Sequence, residues 1–167
     1  TYPAGGVSDS VARLLAPRLA ERLGTTVVVE NKGGAGGSIG MDAVAKSAPD
    51  GHTIGFAAVS PLTLNPHVMK LPYDPLLDVL PVSSVMYSPV FVLATPAFTG
   101  SSFADAIAQS RAKPGSLRIA TSGIASGGHL MVEQIRERAK IDWVHVPYKG
   151  GGQVITDAIG GQFELFT

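Results

Sequence analysis

An α/β fold with mainly parallel sheets is what this chain's residue pattern predicts, on three grounds. From Leu117 to Phe166, short apolar runs alternate with amphipathic stretches in the order strand, helix, strand, helix, strand, which requires crossover connections between parallel strands. That alternation is broken once, around residues 87–101, from the helices and extended runs that precede it. Four glycine-rich turns each lead straight into an amphipathic segment: Gly5-Gly6-Val7-Ser8-Asp9, Gly33-Gly34-Ala35-Gly36-Gly37, Ser122-Gly123 through Gly128, and Lys149-Gly150-Gly151-Gly152. The break predicts two lobes, residues 1–95 and 96–167, with a ligand cleft between them. A single sheet with an edge hairpin satisfies the same pattern.

The elements follow in order. Ser8 or Asp9 is placed to cap a helix whose apolar face is Val11, Leu14, Leu15, Leu19 and Leu23, with Gly24 as its stop. Pro17 inside it predicts a kink, since an interior proline removes a hydrogen bond and costs about 3 kcal/mol. Thr26-Val27-Val28-Val29 is short and β-branched, which predicts a buried strand. Ile39–Lys46 reads as a helix, Pro49-Asp50-Gly51 as a turn and Thr53–Ala58 as a strand. Residues 61–78 hold four prolines and predict irregular chain with one short helical turn. Val79–Met86 and Pro89–Ala94 read as extended, and Phe103–Ala112 as a helix stopped by Pro114-Gly115. Strand Leu117–Thr121, helix Gly128–Ala139, strand Trp143–Val146, helix Gly152–Ile159 and strand Phe163–Phe166 complete the chain.

Composition narrows the function. With 167 residues, 45% of them apolar, one domain or two small lobes and a sizeable core are expected. Thirteen basic residues balance thirteen acidic ones, so no net field draws a polyanion, and nucleic acid is not an expected partner. Cysteine is absent, which removes thiolate chemistry and disulfides. No apolar run approaches the roughly 20 residues of a membrane span. The chain is expected to be soluble, with no direct membrane insertion. It enters on a glycine turn without a preceding strand and closes on a lone strand, Gln162–Thr167, so a piece of a longer fold is expected.

The glycine turns carry the chemistry. A helix start free of bulky side chains offers unpaired backbone N–H groups and the positive end of a dipole, which together attract anions. The turn after Val27-Val28-Val29 resembles a dinucleotide fingerprint, yet its spacing is Gly-x-Gly-x-x-x-Gly and no acid stands near residues 58–60, so no nucleotide is expected. Gly33–Gly37 then reads as a tight turn or as a ligand contact. In Ser122–His129, hydroxyls and amides converge at a helix start, suiting a carboxylate; Ser126 as a helix cap and His129 as a packed ring read equally from the residues. No nucleophile elbow surrounds Ser126. Tyr148 offers a ring wall and a hydroxyl, and Lys149 a charge. No spacing of His, Asp and Glu resembles a metal site, so neither a metal nor a cofactor is expected.

Pro3-Ala4-Gly5-Gly6 with Asp9 and Ala12-Arg13, then Val28-Val29-Glu30-Asn31-Lys32-Gly33-Gly34-Ala35-Gly36-Gly37, open a series that continues through Pro49-Asp50-Gly51, Asn65-Pro66, Tyr73-Asp74, Pro114-Gly115, Ser122-Gly123, His129-Leu130, His145-Val146-Pro147-Tyr148-Lys149-Gly150, Asp157 and Gly160-Gly161-Gln162. In that order, over nearly the whole chain, these residues resemble the tripartite tricarboxylate transporter substrate-binding proteins, the Bug family. The resemblance implies a type II periplasmic-binding-protein-like fold, truncated here. A strand would be missing before Thr1, along with a segment after Thr167 that returns to the first lobe. It implies a periplasmic receptor, not an enzyme, that closes over a small carboxylate (a dicarboxylate, tricarboxylate, acidic amino acid or aromatic acid) and delivers it to membrane permease subunits. Carried over by position, the ligand contacts would be Gly5, Gly6, Ser8, Asp9 and Ser60 from the first lobe, and Ser122, Gly123, Ser126, His129, Tyr148 and Gly150 from the second. The Gly5–Asp9 and Ser122–His129 turns would face each other, with Lys149–Gly152 as a supporting wall and Gly33–Gly37 as a structural turn. Lys32-Gly33 departs from the more usual Arg-Pro, and His52 stands where Tyr is common. The rival reading is an α/β hydrolase or transferase using Ser126 with His129 or His145.

Overall fold

The computed structural model describes residues 1–167. Helix α1 spans Val7–Leu23, starts at Gly6 without a side-chain cap, and ends at Gly24 in the left-handed region, φ 65°, where its N–H closes on Ala20 O. The helix continues past Pro17, whose missing N–H leaves the Arg13 carbonyl without its usual donor. After a 3₁₀ turn at Ala35–Gly37 come α2 (Ser38–Ala45) and two short helical turns, α3 (Ser60–Thr63) and α4 (Asn65–Val68), where one was expected.

The sheet belongs to the C-terminal half. Its strands are β1 (Leu93–Ala94), β2 (Arg118–Thr121), β3 (Val144–Pro147) and β4 (Leu165–Phe166), in the order β1-β4-β2-β3. β2 pairs in parallel with β3 (Ile119 opposite His145) and with β4 (Ile119 opposite Leu165), while β1 runs antiparallel along the β4 edge. The helices of this half are α5 (Phe103–Ala112), α6 (Gly127–Ala139) and α7 (Gly151–Ile159). Alternation along β2 sorts them onto two faces. Ile119 joins Leu117, Leu165, Trp143, Val132 of α6 and Ala106 of α5 in one core, and Ala120 joins Phe163 and Val154 and Ala158 of α7 in the other. The chain therefore turns from β2 toward β3 and then back past β2 to β4, a doubly wound order that leaves the carboxyl ends of β2 and β3 free for a site.

Two strong anchors hold this half. Trp143 is 1% exposed, and its indole N–H donates to Ser110 Oγ at 2.6 Å. Arg118 grips Glu164 with two side-chain bonds, Nη2 to Oε1 at 2.6 Å and Nε to Oε2 at 3.1 Å. At α5, Ser102 and Asp105 form a capping box.

The N-terminal half corrects several expectations. Thr26–Val29 and Thr53–Ala58, expected as strands, and Val79–Met86, expected as an extended run, join no ladder, so sheets are expected in both lobes and one is found. A strand exists only where a neighbour takes its backbone groups, and no segment of residues 1–92 aligns beside these. The α1 stripe is likewise open: Leu14 is 72% exposed, and only Asp9 and Ala16 of the helix are buried. Leu76, Leu77, Leu80, Val82 and Tyr87 are also exposed. Ahead of residue 95, Leu93 and Ala94 pair with Phe166 and Leu165.

Candidate functional site

The start of α1 is shaped by a carboxylate that folds back on it. Asp9 accepts from the Gly5 N–H at 3.0 Å, from Asn31 Nδ2 at 2.8 Å and from Arg13 Nε at 3.2 Å. The Gly5 N–H first, then Arg13 and Asn31, hold its carboxyl down at about 2. Asn31 is tied in turn to the Tyr2 carbonyl at 3.1 Å and to Arg13 Nη2 at 3.0 Å. Gly5 adopts φ 85°, which only glycine accepts without strain, and this turns the chain into the helix.

Against this turn stands the start of α7. A Cβ built on Gly152 would lie 3.1 Å from Ala4 O and 3.3 Å from Gly5 C, and one on Gly6 would lie 3.9 Å from the Gly151 nitrogen. A Cβ on Gly150 would come within 2.7 Å of Pro3 Cδ. Glycines thus let two backbones from the two halves approach as no other residue would. Both helices begin at a glycine with no side-chain cap, and the closeness of Gly6 to Gly151 and Gly152 brings the starts of α1 and α7, each the positive end of a helix dipole, side by side.

A second contact joins the halves nearby. A Cβ on Gly36 would lie 3.0 Å from Ile124 O and 3.1 Å from Ala125 O. The structure therefore pairs Gly5–Gly6 with Gly150–Gly152, and Gly36 with the Ser122–Gly128 turn. The Gly33–Gly37 turn, expected to be structural only, sits on the seam. Asn65, fully buried, fixes it by donating to Ser38 Oγ at 2.7 Å and Ala35 O at 3.2 Å, while its own Oδ1 has no donor. Ser60 is buried at the start of α3, beside Pro61, whose ring faces Gly37 and whose carbonyl accepts from Tyr73 at 2.8 Å.

The turn between β2 and α6 is internally satisfied. Ser126 is the N-cap of α6, its Oγ accepting from the His129 N–H at 3.2 Å. The His129 ring accepts the Ala125 N–H on Nδ1 at 3.1 Å and stacks on His145, with centroids 4.2 Å apart and planes within 10°. His145 Nε2 lies 2.8 Å from Thr121 Oγ1, which also accepts the Gly123 N–H at 3.2 Å. Burial, and then His129, push the His145 ring below the usual histidine range. Neither imidazole is the hydrogen-bond partner of the Ser126 hydroxyl, so the Ser–His geometry that the hydrolase reading requires is not formed. Gly123 cannot carry a side chain, because a Cβ would sit 2.9 Å from Tyr148 O.

Tyr148 follows β3. Its ring packs edge-on against Phe163 and its hydroxyl donates to Asp157 Oδ2 at 2.5 Å; burial and that carboxylate raise the phenol to about 12. Asp157, Thr121, His145, Asn31 and Asn65 all shape the site, and sequence reading had assigned none of them a part in binding. Their signal lies only in the motif strings around them, since Asn31, Asn65, Thr121 and His145 bond to residues far off in sequence and Asp157 to Tyr148 on the preceding turn. No group of three His, Cys, Asp or Glu side chains is placed to hold a metal ion. A hollow beside α5, lined by Thr99, Ser101, Asp105 and Gln109, lies apart from the seam. Its Asp105 carboxylate is already taken by the Ser101 and Ser102 N–H groups.

Two helix starts from two halves of an α/β chain, meeting at the carboxyl ends of parallel strands, define the class of periplasmic binding proteins, and solved structures of that class share the fold. The family model described as "Tripartite tricarboxylate transporter family receptor" matches residues 11–166, and the chain belongs to this family. Protein BugT of Bordetella pertussis is 42% identical over 164 residues, 96% of this chain and 50% of that protein. Among solved structures, MatC from Rhodopseudomonas palustris with bound malate is 30% identical at a TM-score of 0.83, with 98% of this chain and 56% of MatC covered. R. palustris Rpa4515 with adipate is 31% identical at 0.82, with 98% and 55% covered. The chain spans about half the length of the curated relatives it matches.

Proposed function

We propose that this chain is the ligand-capturing part of a periplasmic receptor for a small dicarboxylate, which it hands to the membrane permease subunits of a tripartite transporter, without covalent chemistry. The observation that carries the reading is the convergence of the uncapped starts of α1 and α7 at Gly6 and Gly151–Gly152. There, two helix starts with free main-chain N–H groups, one from each half, lie side by side, which suits a carboxylate held without an arginine clamp. The malate and adipate bound by the two R. palustris relatives support a dicarboxylate over the wider carboxylate class.

In this reading the lobes, residues 1–95 and 96–167, close because the ligand reaches donors of both only in the closed state. Gly5, Gly6 and Ser8 form one wall, and Ser122, Gly123, Ser126, His129, Tyr148 and Gly150 another. Asp9 acts by fixing the α1 turn, and Ser60 by supporting the Gly37 side. Bridging waters complete such a site at little cost.

The test is calorimetry of the chain with malate, adipate, a tricarboxylate and an acidic amino acid. Micromolar dicarboxylate binding, worth about 8 kcal/mol, is expected. Gly152→Ala, which places a methyl 3.1 Å from Ala4 O on the seam, is expected to weaken binding at least tenfold. Absence of heat or thermal shift with every carboxylate overturns the reading.

A further inference from the structure

The stacked imidazoles of His129 and His145 sit directly behind the Ser122–Gly128 turn, and each holds one of its main-chain groups. His129 Nδ1 accepts the Ala125 N–H, so that nitrogen carries a lone pair and the ring proton is on Nε2, 3.6 Å from Glu133 Oε1. His145 acts through Thr121, whose oxygen takes the Gly123 N–H while lying 2.8 Å from Nε2. In the neutral tautomer with a bare Nε2 the Thr121 hydroxyl donates to the ring, and in the other the ring donates to Thr121 and the hydroxyl to Gly123 O at 3.2 Å.

Charging either ring changes these bonds. A proton on His129 Nδ1 would point at the Ala125 N–H, two donors face to face. A proton on His145 Nε2 makes that nitrogen the donor to Thr121 Oγ1 and commits the Thr121 proton to Gly123 O at 3.2 Å, a carbonyl that also accepts the Ser126 N–H at 3.2 Å, so the bonds around Gly123 are redistributed. Two imidazolium rings with centroids 4.2 Å apart would also repel each other. The charged groups around the pair are Glu133, which favours protonation, and Arg136, which opposes it and is itself engaged by Glu133 at 2.8 Å and by Asp142 at 2.8 Å. From β2, the group facing His145 is the uncharged Thr121.

We propose that His129 and His145 are positioning residues that hold the Ser122–Gly128 turn in its ligand-receiving shape only while both imidazoles are neutral, so that acidification loosens the turn and weakens carboxylate binding. This rests on the receptor reading for its binding half. The lowered position of His145 places the charging of that ring below the ordinary histidine value of 6.5, so its part of the brace is intact above that value and lost as the pH falls through the folded-state one.

The experiment is a pH titration of the ligand-free chain from 8 to 5 by amide NMR, followed by calorimetry with malate over the same range. The Gly123 and Ala125 amides are expected to shift together with the imidazole ring resonances. In His145→Gln the Gly123 shift is expected to disappear while the Ala125 shift remains, and in His129→Asn the reverse. Malate affinity is expected to fall about tenfold more between pH 8 and 5 in the parent chain than in His145→Gln, the ligand's own protonation being common to both. Amides that stay flat while the imidazoles titrate overturn the brace, as does an unchanged pH slope in the variant. Absence of binding at pH 8 by malate, adipate and the other carboxylates overturns the receptor reading instead, and the ligand-free titration still decides the brace.

Discussion

The N-terminal half of the chain keeps its backbone in place with side chains, whereas the C-terminal half does so with a sheet. Residues 93–167 pair strands edge to edge and bury Trp143, Ile119, Val132 and Phe163 on two faces, so its turns stand on a packed scaffold. Residues 1–92 have no ladder, and their segments are tacked down singly: Asn31 to Tyr2 and Asp9, Asn65 to Ser38 and Ala35, Tyr73 to Pro61, and the Thr1 nitrogen to Phe56 O at 3.0 Å. A binding seam built between the two therefore joins a rigid partner to one held by few, identifiable bonds. The difference teaches where each variant should be felt.

Trp143→Ala should have the largest effect. Removing the indole empties the main core and leaves Ser110 without its donor, at a cost of about 3–5 kcal/mol. Urea unfolding followed by far-UV circular dichroism checks it; a loss under 1 kcal/mol would mean that the sheet half is not the better-packed one. Asn65→Ala should come next, at about 1–3 kcal/mol, because Ser38 and the Ala35 carbonyl lose a buried donor. Since Trp143 is the chain's single tryptophan, its fluorescence reports the sheet half alone. The expectation is an unchanged fluorescence midpoint with faster amide exchange in Ser38–Ala45. Equal loss in both probes would show that the halves unfold as one.

The smallest effect near neutral pH, and a sharp one in acid, concerns Asp9. Its folded carboxyl lies at about 2, below the ordinary 3.8, so the stability it lends is fully present above 3.8 and is lost as the pH falls through about 2. A carboxyl carbon resonance titrating near pH 2 is expected. A midpoint near 4 would show that the Gly5, Arg13 and Asn31 donors do not hold it.

Much of this molecule was legible in its residues. The alternation from Phe103 onward gave helices and strands close to those found, because each of these segments meets its partner within the chain and local propensity agrees with the packing. The same reasoning failed for Thr26–Val29 and Thr53–Ala58, since β-branching favours an extended backbone but does not supply the neighbour that makes a strand. The α1 stripe of Leu14, Leu19 and Leu23 failed likewise, as helical spacing names a face and not what covers it.

The sequence by itself determined the family, the order of elements after residue 93, and the four glycine turns as anion-attracting helix starts. Tertiary structure alone decided which turns meet: Gly6 with Gly151, and Gly36 with Ile124 and Ala125. It also committed Asp9, Ser126 and the Tyr148 hydroxyl to partners of their own. The physical reason is that a glycine's local signal is only the absence of a side chain. What that absence is for depends on the backbone that approaches it, from a residue more than a hundred positions away in the case of Gly6 and Gly151 and about ninety in the case of Gly36 and Ile124.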